Sequence, residues 1–304
     1  MKNSILVMIF VVFCIINLNA QDMINAKQLT FNSAREGFPS WSPDGKYIIY
    51  QYTDMADTLG KNGLWKMSSD GSNAKQIFKG IAEHPKWSPD GRFVVFDADT
   101  GQSVKMIPAD GGDPITFIPD TIQIYKGSLP CWSPDASKIA FKDSEHSLCI
   151  YDMRTKRTIR VFKQEGLLLL PGCWSNDGKY IWITLMDRQT RKSTLWKISS
   201  DGKKREQISE HHENIYRYLA HSPDGSLLVY TAMEGNFFGF FVMFAKGGKS
   251  LPFTFTDEGH KEAPVWSPDG KKIAYSSSRA WNVDIWIMDV DTKQIKEKLR
   301  ALNK

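Results

Sequence analysis

Cysteine is scarce in this chain, and so is every pattern that usually announces chemistry. Four cysteines occur in 304 residues, Cys14, Cys131, Cys149 and Cys173, and their spacing matches no metal motif. There is no Gly-x-Ser-x-Gly nucleophile motif and no His-Glu-x-x-His. Gly248-Lys249-Ser250 resembles the end of a phosphate-binding loop, but the glycine needed five residues earlier is Met243, which excludes that reading. The net charge of +5 is spread along the chain without a basic block, so nucleic acid is not an expected partner. No cofactor motif is found, and the chain is expected to fold without a cofactor or a metal.

Long apolar runs are also missing. The longest, Ile5 to Ile16, is interrupted only by Cys14 and falls short of the roughly 20 residues that span a bilayer. Lys2 precedes it and Leu18-Asn19-Ala20 follows, the order of a secretory signal peptide cleaved before Gln21. An uncleaved anchor or a lipoprotein is the alternative, although Phe13 stands where lipid attachment at Cys14 would need a small residue. Residues 1–20 are thus read as a signal, residues 21–304 as the mature protein, and the compartment as periplasmic or extracellular. Removing the signal leaves three cysteines. Cys131 and Cys173 occupy equivalent places in neighbouring repeats, usually too far apart for a disulfide, so buried free thiols are expected.

What is present is a repeat. Trp41-Ser42-Pro43-Asp44-Gly45 recurs at Trp87 to Gly91, with Asp90, and at Trp132 to Ala136, with Asp135. It returns at Trp174 to Gly178, with Asp177, at His221 to Gly225, with Asp224, and at Trp266 to Gly270, with Asp269. The steps are 46, 45, 42, 47 and 45 residues, and six copies fill nearly all of the mature chain. Proline presets the first turn position, aspartate can bond to the backbone two residues on, and glycine accepts positive φ. These aspartates are therefore read as turn formers and not as calcium ligands. Ala136 replaces the glycine once, which predicts a strained turn there.

An apolar run such as Tyr47 to Tyr50 follows each turn, then a second such as Leu64 to Met67, then an Asp-Gly turn and a more polar outer run such as Lys75 to Phe78. With the strand that carries the tryptophan this makes four strands per repeat. The fold class is all-β, a six-bladed β-propeller of four-stranded antiparallel blades. No useful helical periodicity is seen. Ala26-Lys27-Gln28-Leu29-Thr30 resembles the outer strands yet precedes the first blade, so it is expected to join the last blade and clasp the ring. The alternative is that Lys293 to Leu299 completes that blade.

The Pro-x-Trp-Ser-Pro-Asp-Gly pattern, with strands such as Asp284-Ile285-Trp286-Ile287-Met288-Asp289, resembles the TolB-type, WD40-like propeller family over roughly residues 25 to 298. The resemblance implies tryptophans packed between blades, work in the periplasm or outside the cell, and binding at the channel mouth. Residues 21 to 35 are too few for the α/β domain that precedes the propeller in TolB, so the similarity is to the propeller alone.

Several polar residues lie in connections leading to the innermost strands, which gather round one channel mouth. His84, His211, His212 and His260, with Arg35, Glu36, Tyr125 and Lys126, are the candidate binding residues. His221 is read as a smaller interblade packer with a hydrogen-bonded ring. The run Phe237 to Phe241 and the run Leu167 to Leu170 are read as core, with an exposed docking patch as the alternative. The first functional expectation is an exported binding module for a protein, peptide or envelope component. The second is a propeller enzyme acting on a saccharide in the manner of a lyase, with mouth histidines and tyrosines as acid and base. The third is a structural part of an envelope assembly.

Overall fold

The computed structural model describes residues 25–101, 103–116, 127–209, 217–234, 236–253, 259–279 and 282–304. The expected signal segment and Tyr125, Lys126, His211 and His212 lie outside them. The described residues form six four-stranded antiparallel sheets, one per repeat. Blade 1 runs from the inner strand outward as β2 (Arg35–Trp41), β3 (Tyr47–Thr53), β4 (Gly63–Ser68) and β5 (Lys75–Lys79). Blade 2 holds β6 (Ala82–Trp87), β7 (Phe93–Ala98), β8 (Ser103–Pro108) and β9 (Ile115–Thr116). Blade 3 starts with β10 (Gly127–Trp132) and β11 (Lys138–Asp143), and blade 4 with β14 (Leu167–Trp174) and β15 (Tyr180–Asp187). Blade 5 starts with β18 (Arg217–His221), with β20 (Phe237–Phe244) third; blade 6 holds β22 (Lys261–Trp266), β23 (Lys272–Ser277) and β24 (Asp284–Asp289).

The repeat turns form as their chemistry requires. Ser42 Oγ donates to Asp44 at 2.7 Å, Asp44 accepts from the Lys46 amide at 3.1 Å, and Ser42 Oγ accepts from the Tyr47 amide at 2.9 Å. The same serine–aspartate bond recurs in the other five copies at 2.6–2.7 Å. These hydrogen bonds from serine and from the backbone lower the carboxyl pKa values of Asp44, Asp135, Asp177 and Asp269. Ala136 takes φ 56° where the glycine of the first copy takes 71°, so the turn is kept and its strain is borne by the alanine.

Tryptophan joins neighbouring blades. The Nε1 atoms of Trp132, Trp174 and Trp266 each donate at 3.2 Å to a carbonyl of the preceding blade's inner strand, those of Lys86, Cys131 and Ala220. His221 is too short to repeat this. Both its ring nitrogens are buried with no hydrogen-bond partner, so the hydrogen-bonded ring expected from the sequence is not formed. Burial pushes its pKa down to about 4, and the ring packs neutral, edge-on to Trp182 at 5.2 Å. Cys131, Cys149 and Cys173 are free thiols, and burial pushes those of Cys131 and Cys173 up to about 12.

The ring closes with the N-terminal segment. β1 (Ala26–Gln28) pairs with β24 antiparallel, Ala26 opposite Met288 and Gln28 opposite Trp286, as the outermost strand of blade 6. The Leu29 amide donates to the Ile285 carbonyl at 2.8 Å, and the Leu29 side chain packs with Trp41, Ile48 and Ile287 between blades 6 and 1. The segment considered as the alternative closure is instead a helix, α1 (Thr292–Leu302). Asp291 caps it by accepting from the amides of Lys293 and Gln294, while Ile295 and Leu299 bury one face in the cluster of blades 5 and 6. Lys296 Nζ donates to Asp224 at 2.6 Å, which pins the helix to the blade 5 repeat turn. An isolated i, i+4 pair in an 11-residue helix is a weak periodic signal, which is why a helix was not expected there.

Candidate functional site at the channel mouth

Antiparallel order fixes which loops share a face. Each inner strand runs toward its repeat turn, so its first residues, the connection before it and the loop between its second and third strands meet at the opposite end. That end is the mouth. A cavity of about 300 Å³ opens there, bounded by blades 2 to 5. Its polar lining is Glu83, His84 and Asp97 of blade 2, Lys142 of blade 3, and Arg217 and Tyr218 of blade 5. Its apolar lining is Leu129 of blade 3 with Leu168, Leu170, Pro171 and Met186 of blade 4.

The floor arises from one recurring irregularity. In five of the six repeats the inner strand bulges three residues before the anchor, and Phe38, His84, Leu129, Tyr218 and Ala263 take φ of 53°, 48°, 57°, 51° and 54°. A bulge re-aims the side chain at that position. Three of these residues carry rings and meet across the bore. Phe38 lies 4.1 Å from His84 and 5.4 Å from Tyr218 between ring centroids, and His84 stacks on Tyr218 at 6.1 Å. Burial pushes the Tyr218 phenol up to about 12, so at neutral pH it is a proton donor and not a phenolate.

His84 is held from behind. Its Nδ1 lies 3.1 and 3.0 Å from the two Asp97 oxygens, and Asp97 is only 1% exposed. Glu83 accepts from the Gln51 amide at 3.4 Å. Burial pushes the Lys142 ammonium down, with the Asp97 charge opposing that shift. The Arg217 guanidinium lies 5.4 Å over the Phe238 ring, and its Nε is buried without a partner. Phe238 leads to a second pocket of about 180 Å³, lined by Arg35, Phe238, His260, Glu262 and Ser276 among others. There His260 Nδ1 accepts from the Phe238 amide at 3.1 Å.

The candidates named from the sequence therefore divide. His84 lines the larger pocket, while Arg35 and His260 line the smaller one. Glu36 does not reach the mouth surface. It is fully buried in the ring closure, where Asn32 donates to it at 2.8 Å and Asp284 lies alongside. Its position, five before the repeat anchor, is buried in every described copy: Ala82, Gly127, Leu169 and Lys261 are its equivalents. Glu83, Asp97, Lys142, Arg217 and Tyr218 were not singled out from the sequence. Alternation could have found Glu83 and Arg217, since the residue after each buried position faces the channel; Asp97 and Lys142, on second strands, and Tyr218, at a bulge, carry no such signal. Of the two apolar runs, Leu169 and Phe240 are core, whereas Leu168 and Leu170 line the pocket and Phe237 is partly exposed.

Burial raises the pKa of both Glu36 and Asp284, first through desolvation. A raised folded-state pKa adds stability that is complete below the unfolded value, near 4.5 for Glu36, and is lost as pH rises through the folded one. Glu36→Gln removes the ionisable group and keeps the acceptor for Asn32. Its Tm should exceed wild type at pH 8, and the gap should close by pH 4. An equal offset at both pH values would show that charge burial at Glu36 is not the cause.

Comparisons with known proteins agree with this architecture. A family model described as the PD40 TolB beta propeller domain matches residues 104–301. The uncharacterized protein Atu1656 of Agrobacterium fabrum is 26% identical over 261 residues, covering 78% of this chain and 83% of that protein. The solved structure of a putative TolB from Agrobacterium tumefaciens superposes with a TM-score of 0.64 at 18% identity, covering 89% of this chain and 98% of that one. Oligogalacturonate lyase from Vibrio parahaemolyticus superposes with a TM-score of 0.58 at 13% identity, covering 88% and 94%. At these identities the two superpositions establish the fold alone.

Proposed function

The chain belongs to the TolB β-propeller family, and from that premise we propose that it is an exported binding module whose mouth face docks a segment of a partner protein or another envelope component. The observation that carries this reading is a set of exposed apolar side chains on the same face as the amphipathic pocket. Phe31, Met55, Leu59 and Ile81 are 76%, 98%, 72% and 55% exposed, and all four stand in mouth-side connections of blades 1 and 2. Large exposed apolar side chains on the face that also opens a pocket lined by both charged and apolar groups suit a peptide that presents both kinds of side chain. Export rests on the apolar segment Ile5 to Ile16 and the small residue at Ala20. No described helix is long and apolar enough to cross a membrane.

Affinity capture from envelopes of the source cell tests this, with chain from Gln21 onward as bait and a Lys142→Glu, Leu168→Asp double variant beside it. Both substituted side chains are partly exposed, so the variant should keep the wild-type Tm. One protein held by wild type and reduced at least tenfold with the variant is expected. Equal recovery by both baits would sink the pocket as the docking site.

One observation favours a second reading. His84, held by buried Asp97 and stacked on a protonated Tyr218 at the pocket floor, has the makings of a base and acid pair for a saccharide lyase. Ultraviolet-absorbing unsaturated product from uronic oligosaccharides, abolished by His84→Ala, would promote that reading over docking.

A further inference from the structure

We propose that Glu83, His84 and Asp97 bind one divalent transition-metal ion in the wall of the mouth pocket. One donor atom from each lies within 4.8 Å of the other two. Ligand bonds of about 2.0–2.2 Å bring neighbouring donors to separations of about 3 Å, so a small inward movement would complete the set.

Two features of this cluster are otherwise unfavourable. Glu83 and Asp97 are directly paired across β6 and β7, and like charges placed opposite one another on neighbouring strands repel. Asp97 is almost wholly buried, with His84 as its hydrogen-bond partner. No lysine or arginine forms an ion pair with either carboxylate among the described residues. Lys142 and the buried Lys86 both feel the Asp97 charge, but neither forms an ion pair with it. A cation between the carboxylates removes the repulsion.

The second observation comes from the neighbouring blade. Gln51 is 3% exposed and its amide nitrogen reaches Glu83, yet its Oε1 is buried with no donor. A metal-bound water is a donor of the kind this oxygen lacks. The bulge at His84, φ 48°, is the backbone feature that brings the imidazole against Asp97 and out of the ordinary strand alternation. The adjoining cavity leaves room for water or ligand oxygens on the open side.

The donor set selects the ion. Two carboxylates and one imidazole suit zinc or manganese better than calcium or magnesium, which prefer all-oxygen shells. Zinc should bind more tightly than manganese, following the usual order of divalent affinities. The inference rests on the donors and is independent of the docking reading.

Tag-free protein stripped with EDTA and titrated calorimetrically with Zn²⁺, Mn²⁺ and Ca²⁺ tests it. One equivalent of Zn²⁺ should bind, Mn²⁺ more weakly, and both should raise Tm. Asp97→Asn and the gentler Glu83→Gln should each weaken Zn²⁺ binding by at least tenfold and remove the Tm rise. Glu83 is partly exposed, so Glu83→Gln should fold even if Asp97→Asn does not. No saturable binding by wild type, equal binding by a folded variant, or tighter binding of Ca²⁺ would each overturn the proposal. Loss of metal with partner capture intact would leave docking standing, and the reverse result would leave the metal site standing.

Discussion

Leu29→Asp should cost about 3–5 kcal/mol of stability, because it places an unpaired charge in a buried seam. The seam is the joint between the two ends of the propeller. Leu29 is 5% exposed and packs with Trp41 and Ile48 of blade 1 and Ile287 of blade 6. The strand before it supplies only three residues to the sheet, Ala26 to Gln28. So short a strand contributes little through hydrogen bonds alone, each worth on the order of 1 kcal/mol net. The closure therefore depends on Leu29 and on the polar contacts that follow it, in which Thr30 Oγ1 accepts from the Ile285 amide and Asn282 donates to the Ala34 carbonyl. Phe31→Asp is the control two residues away. Phe31 is three-quarters exposed, and its replacement should stay within about 0.5 kcal/mol of wild type. Urea unfolding of the three proteins measures both. Equal midpoints for Leu29→Asp and Phe31→Asp would mean that the N-terminal segment lies beside blade 6 without holding the ring.

The period, the blade count and the clasp were legible because each is written in local chemistry repeated six times. Ser-Pro-Asp-Gly names its own turn, and Ala26 to Thr30 matched outer strands that had no place left for it in the first repeat. The helix was less legible. Asp291, Ile295 and Leu299 carry its cap and its buried face, and three residues make a faint pattern beside strands that alternate for eight. The mouth was legible in location and only partly in content. Choosing histidines and charges by type found His84, Arg35 and His260 and also took in Glu36, whose place in the alternation turns it into the closure. Asp97 and Lys142 come from second strands, at the ends of runs that read as core. They reach the pocket because of how blades 2 and 3 face each other, and no motif of either strand reports that. His221 shows the same limit in a different way. Its position in the repeat was plain, but only the packing shows that its ring has no partner and stays neutral.

The docking face can be distinguished from its opposite by position alone. The mouth side carries Leu59 and Ile81 on the connections of blades 1 and 2, both more than half exposed. The far side carries the repeat turns and the turns between third and fourth strands, where exposed Lys46 and Lys203 stand among charged neighbours. The repeat-turn aspartates and Asp201 there already accept from a serine and from backbone amides, and Asp110 from Lys66. A photo-crosslinking residue placed singly at Leu59, Ile81, Lys46 and Lys203, in full-length chain expressed in its source cell, is the measurement to make. Adducts of one mass from Leu59 and Ile81, with none from Lys46 or Lys203, are expected. Adducts confined to Lys46 or Lys203 would place the partner on the wrong side of the propeller and contradict the mouth as the binding face.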